Sequence, residues 1–362
     1  MSAARLGKGM LLARSLYDKS HRPVFKEGAY LGNTQVEAIK RAGYAGAYVL
    51  DARADKVVPA PLVPDMVYLY AAQFVEHCRV RASRGEARDA ALAVEEQEGV
   101  VQAALAALAS RQHRFVDSID TKPYAGYSSY HAAMVMTLSL AMGLELGLGS
   151  RQLFDLGVAA LLHDMANAYL PPLHDKSSTF LPAVLFNRPG RLTDEESEAM
   201  RVYMQKGYDY LVRAYALSAS ASLGVMQYHE NYNGTGYPNG LRRKKISLYA
   251  RIIAIADAYD ALVSKRSFRT ALYPSQALDM VMQQSDRKFD PDIVDVFERI
   301  IAPYPTGTLV QLKTDERCLV LRNHPDNLAR PLLRVYGPYR TFVVDTRTDP
   351  AYRRVRILKA VG

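Results

Sequence analysis

The sequence predicts a mainly α protein: a helical bundle flanked by a small N-terminal α/β module and a small C-terminal β unit. Three observations carry this reading. From about residue 117 to residue 304 nearly every segment has helical periodicity, as in "QLFDLGVAALLHDMA", "TDEESEAMRVYMQKGYDYLVRAYAL" and "SLYARIIAIADAYDALVSK". After "APYPTGT" the pattern changes to period two in "LVQLKTDERCLVLRN" and "LLRVYGPYRTFVVDT", with "HPDN" as the turn. Before about residue 57, short apolar runs alternate with turns around a single helix-like stretch.

Taken in order, residues 1–57 form the mixed N-terminal module. There "NTQVEAIKRAG" reads as a helix capped by Asn33, with Val36 and Ile39 facing inward and Gly43 as its stop, and "AGAYVLD" reads as a closing strand. Residues 58–116 form a linker and helical connector, opened by "VVPAPLVPD" and continued by an alanine- and charge-rich stretch from about Met66 to Phe115. The bundle spans 117–304, where Thr193 and Glu196 form a capping box at one helix start. Residues 305–362 are the β unit.

Composition narrows the function classes. The chain has 362 residues, a hydrophobic content of 49% and a formal net charge of +9. Its lysines and arginines are spread rather than blocked, so a nucleic-acid polymer is not expected as a partner. Cys78 and Cys318 are the two cysteines, far apart and outside any Cys-x-x-Cys, which supports neither a disulfide framework nor a zinc knuckle. The longest apolar run, between His131 and Glu145, is too short to span a bilayer. The N-terminus lacks a signal-peptide core. A cytoplasmic location is expected.

The chemistry lies in the helical part. His163 and Asp164 end the apolar run "VAALLHDM", Asp257 is enclosed by Ile252, Ile253, Ile255 and Ala256, and His131 opens a third apolar helix. A charged or imidazole group on such a segment is costly unless it is paired or metal-bound. Any one of these residues reads as a hydrogen-bonded core group; together they read as a metal site, whose imidazole and carboxylate donors suit a transition metal rather than calcium. Further along, "QYHENYNGTGYPNGL" places His229 and Glu230 at the lip of a loop built from Asn233, Gly234, Gly236, Pro238 and Gly240.

On "HD" at 163–164, "NRPGRLTDEE" at 187–196, "HENYNGTGYP" at 229–238 and "RIIAIADAYDALVSKRSFR" at 251–269, the chain resembles the HD-GYP proteins, a subgroup of the HD phosphohydrolase superfamily. The resemblance covers about residues 117–304. It implies an HD-type helical bundle and hydrolysis of cyclic di-GMP to linear pGpG or GMP at a centre of two or three metals, with the flanking segments similar to those that often accompany such domains. It places His131, His163, Asp164 and Asp257 as ligands of one metal subsite, with Asp164 as the bridging carboxylate of an active enzyme, and His229 as the remaining member of a ligand pair. It also implies that Arg266 and Arg269, on a continuation of the Asp257 helix, hold ligand phosphates, with Gly236 and Tyr237 on the opposite side. The metal implied is divalent, iron or manganese first.

The sequence departs from the family pattern at several of these places. Tyr203 and Tyr228 stand where the family has histidines of the second subsite, and a neutral phenol, with an ordinary pKa near 10, binds a divalent ion poorly. Asn167 stands where a lysine would neutralise phosphate charge, and Asn233 where the loop usually has aspartate. About a dozen extra residues, "AYLPPLHDKSSTF" at 168–180, carry a second His-Asp pair, His174 and Asp175, which reads as a surface loop, a lid or a source of replacement ligands. The expectation is therefore a regulatory or sensory member of cyclic di-GMP signalling, with at most about one divalent ion per chain or none. It binds a cyclic dinucleotide or a protein partner with little or no hydrolysis, and a homodimer is compatible. The alternatives are an active cyclic di-GMP phosphodiesterase or one-metal phosphohydrolase, and an interaction protein with an empty cleft.

Overall fold

The structure, a computed structural model, describes all residues except 19, 51–56, 84–89, 119–125, 166–192, 266–270, 338 and 362. The side chains at 83, 90–94, 194, 197, 199–201, 203, 204, 206 and 207 are also outside the described set. The N-terminal segment carries four short strands, β1 (Leu11–Leu12), β2 (Leu16–Tyr17), β3 (Pro23–Phe25) and β4 (Val49–Leu50), and the helix α1 (Asn33–Arg41). β1 pairs antiparallel with β4 and β2 with β3. Val36 and Ile39 do face inward, against Leu12, Leu16, Leu31 and Tyr44. The cap falls one residue earlier than the sequence suggests. Gly32 is extended and its amide donates to the Gln35 side chain at 3.1 Å, so Asn33 is the first helical residue and not the cap.

The helical part follows as α2 (Asp65–Ser83), α3 (Ala90–Ala109), α4 (Tyr127–Glu145), α5 (Ser150–Leu162), α6 (Asp194–Tyr215), α7 (Ala219–Gln227), α8 (Leu248–Val263), α9 (Pro274–Gln283) and α10 (Pro291–Ile300). The fold is mainly α, as expected. α4 is its axis, packed against α2, α5 and α8. It is buried from Ser129 to Gly143 apart from Met134, which is why its sequence is apolar on all sides rather than along one stripe. Gly157 lets α3 and α5 approach closely, since a Cβ there would lie 2.6 Å from Val101 Cγ1. The capping box of α6 is present: Thr193 Oγ1 accepts from Glu196 N at 3.2 Å, and the Glu196 carboxylate accepts from Thr193 N at 2.8 Å.

The C-terminal strands β5 (Leu309–Leu312), β6 (Arg317–His324), β7 (Asn327–Tyr336), β8 (Thr341–Asp345) and β9 (Ile357–Ala360) form one antiparallel sheet in the order β8-β7-β6-β5-β9. Val310, Cys318, Leu333, Val335 and Val344 are in register across it and bury the same face. Asp117 fastens this sheet to the bundle, accepting from Thr306 N at 2.7 Å and Asn323 Nδ2 at 2.8 Å. Both cysteines are buried, and neither forms a disulfide. Among the described residues no helix is long and apolar enough to cross a membrane.

Candidate metal centre

Four chain segments converge near the start of α4. His131 sits one turn into that helix, fully buried. His163 is the C-cap of α5 with Asp164 following it, Tyr228 is the C-cap of α7 with His229 following it, and Asp257 lies on α8. One donor atom each from His131, His163 and Asp164 can lie within 4.8 Å of the others. Asp257 joins this group through His131, whose Nε2 is 3.1 Å from Asp257 Oδ1. The two carboxylates retain 29% (Asp164) and 26% (Asp257) side-chain exposure beside histidines that have almost none, so the acids line the opening and the imidazoles the floor.

The donor set fits a metal ion on an observation of its own. His163 Nδ1 is held by the Ala160 carbonyl at 2.7 Å, which leaves Nε2 as the nitrogen with the lone pair. That Nε2 is buried and has no hydrogen-bond partner among the described residues. Buried polar atoms are normally satisfied, and an imidazole nitrogen left beside a carboxylate and a second imidazole is arranged for a cation.

The electrostatics agree. Burial alone would drive the His131 imidazole down, but its hydrogen bonds to Asp257 and Asp260 overcome this and push it up to about 9. Burial raises the Asp164 carboxyl, yet the charges of His163 and His131 leave it below the usual carboxylate range. Asp257 is depressed too, burial being outweighed by the hydrogen bond from His131. A divalent ion held here would compete with the proton on His131. His229 is lowered to about 4 by burial, which the Asp257 and Asp164 charges only partly offset.

Asp260 is a residue that the sequence reading missed. Its Oδ2 is 2.7 Å from His131 Nδ1, so His131 is held from both ring nitrogens by acids one turn apart on α8. Such a partner fixes ring orientation and ligand basicity. The signal was present as "DAYD", since residues three apart share a helix face.

The other predicted residues fall as follows. Tyr228 donates to Asp164 Oδ1 at 2.9 Å, and burial raises its phenol well above the ordinary value. His229 lies between two phenols, with ring centroids 3.9 Å from Tyr228 and 4.8 Å from Tyr237. With Tyr127 beside His131, this makes a continuous file of six rings in the order Tyr127, His131, His163, Tyr228, His229, Tyr237, each centroid within 5.4 Å of the next. Glu230 is buried and holds the loop, accepting from Asn239 N at 2.7 Å and Leu241 N at 3.0 Å. Asn233 closes the turn by accepting from Thr235 N at 3.1 Å. Arg266, Arg269, Asn167, His174, Asp175 and the Tyr203 side chain lie outside the described residues. α8 ends at Val263, with Ser264 extended.

Gly236 has a packing reason beyond any ligand contact. A Cβ there would overlap Asn231 N and lie 2.5 Å from both Glu230 Cα and His229 O, all backbone atoms that cannot turn aside. Gly236→Ala is expected to destabilise the protein by about 1–3 kcal/mol, the usual range for overpacking. Urea unfolding checks this, and an unchanged midpoint would contradict the described loop.

The fold and the His-Asp cluster define the class. The sequence model of the HD domain family matches residues 108–293, and the chain belongs to that family. Among its relatives is the cyclic di-GMP phosphodiesterase PA4108 of Pseudomonas aeruginosa, 27% identical over 346 residues, which are 89% of this chain and 81% of that one. The cyclic di-GMP phosphodiesterase response regulator RpfG of Xanthomonas campestris is 37% identical over 129 residues, 35% of this chain and 34% of RpfG. The 3'3'-cGAMP-specific phosphodiesterase 2 of Vibrio cholerae is 34% identical over 126 residues, 34% of this chain and 24% of that protein. The chain thus spans about a third or less of the last two. Among solved structures, the HDG"Y"P protein Bd1817 of Bdellovibrio bacteriovorus aligns with a TM-score of 0.47 at 16% identity, covering 83% of this chain and 98% of that one.

Proposed function

We propose that the chain is a regulatory or sensory HD-GYP-like protein of cyclic di-GMP signalling that binds a cyclic dinucleotide at this cleft with little or no hydrolysis. The observation that supports it most is the Tyr228 phenol, which donates to Asp164 where the family resemblance puts a second-subsite histidine. That hydrogen bond occupies one oxygen of the carboxylate proposed to bridge two ions. His131, His163, Asp164 and Asp257 are proposed to hold one divalent ion, iron or manganese, with His229 in reserve beside Asp257. When bound, the ion supplies charge stabilisation for a phosphoryl oxygen. What the chain's own groups contribute is orientation: Asp260 and Asp257 fix His131, and Glu230 sets the loop that carries Tyr237.

The second reading, an active phosphodiesterase or a one-metal phosphohydrolase, draws support from the relatives, which are named cyclic di-GMP and 3'3'-cGAMP phosphodiesterases. A binding titration of cyclic di-GMP, with product analysis on the same samples, separates the readings. Binding without product supports regulation, turnover supports the enzyme, and absence of binding leaves the empty-cleft interaction protein. Replacing Arg266 and Arg269 together with alanine is expected to weaken cyclic dinucleotide binding by a few kcal/mol, at about 1.5–3 kcal/mol for each charged hydrogen bond. Calorimetry on parent and double variant checks it, and equal affinities would remove both arginines from the ligand site.

A further inference from the structure

A cavity of about 520 Å3 lies between the N-terminal segment and the bundle, lined by Ser20, His21, Gln73, Glu76, His77 and Gly126. Its size is within the ordinary range for small-molecule sites. Nothing in the metal-centre chemistry uses these residues. His21 is the unusual one. It is 7% exposed, it takes a left-handed backbone at φ 61°, and its Nε2 is buried with no hydrogen-bond partner among the described residues. A buried nitrogen left unmet beside a polar cavity is where a ligand atom completes the bonding.

The rest of the lining indicates the ligand's charge. Glu76 is the one carboxylate of the described lining, and a carboxylate favours a ligand N–H that carries positive charge. The Glu76 contacts with Ser129 Oγ at 2.6 Å and with Arg79 Nε at 4.0 Å both use Oε2; Oε1 accepts no hydrogen bond among the described residues. Burial keeps His21 below its usual value, so the imidazole adds no positive charge. Gln73, Glu76 and His77 share one face of α2 by their spacing, opposite His21.

We propose that this cavity is a second ligand site, which takes a small organic cation whose N–H groups are shared between Glu76 Oε1 and His21 Nε2. Its position gives it a bearing on the metal centre. Gly126 is the N-cap of α4, Ser129 is bonded to Glu76, and the His21 ring lies 4.9 Å from that of Tyr130, the residue before His131. The Tyr130 hydroxyl donates to Asp18 O at 2.9 Å, and Tyr68 donates to Tyr130 O at 2.9 Å. A ligand here thus bears on the first turn of α4, through Ser129 and Tyr130, directly before His131.

The test is a calorimetric titration of the full chain with agmatine, which carries a guanidinium and an ammonium. Binding is expected, and Glu76→Gln is expected to weaken it about tenfold or more, the loss of one charge-assisted hydrogen bond. His21→Asn should weaken it similarly, since asparagine tolerates the left-handed backbone while lacking the imidazole. Glu76 is 43% exposed in its side chain, so Glu76→Gln keeps the test decisive even where the His21 variant unfolds. Guanosine, uncharged but rich in N–H donors, should bind more weakly than agmatine. No agmatine binding by the parent, an unchanged affinity in Glu76→Gln, or guanosine binding as tightly as agmatine would each overturn the proposal.

Discussion

A chain carrying Tyr203→His, Tyr228→His and Asn167→Lys together is expected to cleave cyclic di-GMP at about 10²-fold or more above the parent rate, while each single change leaves the rate nearly unaltered. The size follows from what one stabiliser of developing charge contributes, about 10²–10³ in rate, and a second metal subsite contributes at least as much. The Tyr228 phenol donates to Asp164 Oδ1 at 2.9 Å, so restoring an imidazole there both frees that oxygen and adds a donor. Tyr203 must change with it because one histidine and a shared carboxylate make a poor site. Product formation measured on metal-loaded samples of the parent, the three singles and the triple variant checks this. A parent as active as its best variant would contradict the proposed loss of the second subsite, and would direct attention to His174 and Asp175 as substitute ligands.

The second large effect concerns metal content. Protein prepared without chelators is expected to carry at most about one divalent ion per chain, because the four residues proposed as ligands, His131, His163, Asp164 and Asp257, provide donors for a single site. Asp257→Ala should abolish it. That change removes a carboxylate 3.1 Å from His131 Nε2 and leaves the cluster with one acid beside two imidazoles. His163→Ala should act similarly, by deleting the nitrogen that has no hydrogen-bond partner among the described residues. Replacing His113, which lies on an exposed segment after α3, should change nothing and serves as the control. Elemental analysis of purified protein decides the matter: two ions in the parent, or an undiminished ion in Asp257→Ala, would overturn the one-site reading.

Much of this was legible because burial makes polar residues conspicuous in a sequence. His131, His163 and Asp257 each interrupt an apolar helix, and the structure brings all three to one place with Asp164. The capping box at Thr193, the turn "HPDN" and the period-two register of the C-terminal sheet were legible for a related reason: each is specified by neighbours within a few residues. Asp260 escaped notice although it shares a face with Asp257, because its partner is 129 residues away and pattern alone gives no reason to prefer it to any other helix acid. The role of Glu230 was hidden in the same way, since its partners are amides of a loop whose path is set by glycines. The cap of α1 was misplaced because Gly32 takes the cap position, where Gln35 Oε1 accepts from its amide and no side chain caps the helix, so the polar Asn33 falls inside the first turn.

The donors proposed for the metal centre come from helices far apart in the chain, with His131 and Asp257 separated by 126 residues. In the unfolded chain these groups do not meet, so an ion that binds them binds the folded form alone. Occupancy then becomes a contribution to fold stability by mass action, about 2.7 kcal/mol when free metal is a hundred times its dissociation constant. An ion held by the proposed ligands would clamp α4, α5 and α8 together rather than merely decorate the cleft. A member of this family that gave up turnover while keeping one ion would therefore retain a physical reason to keep its ligands.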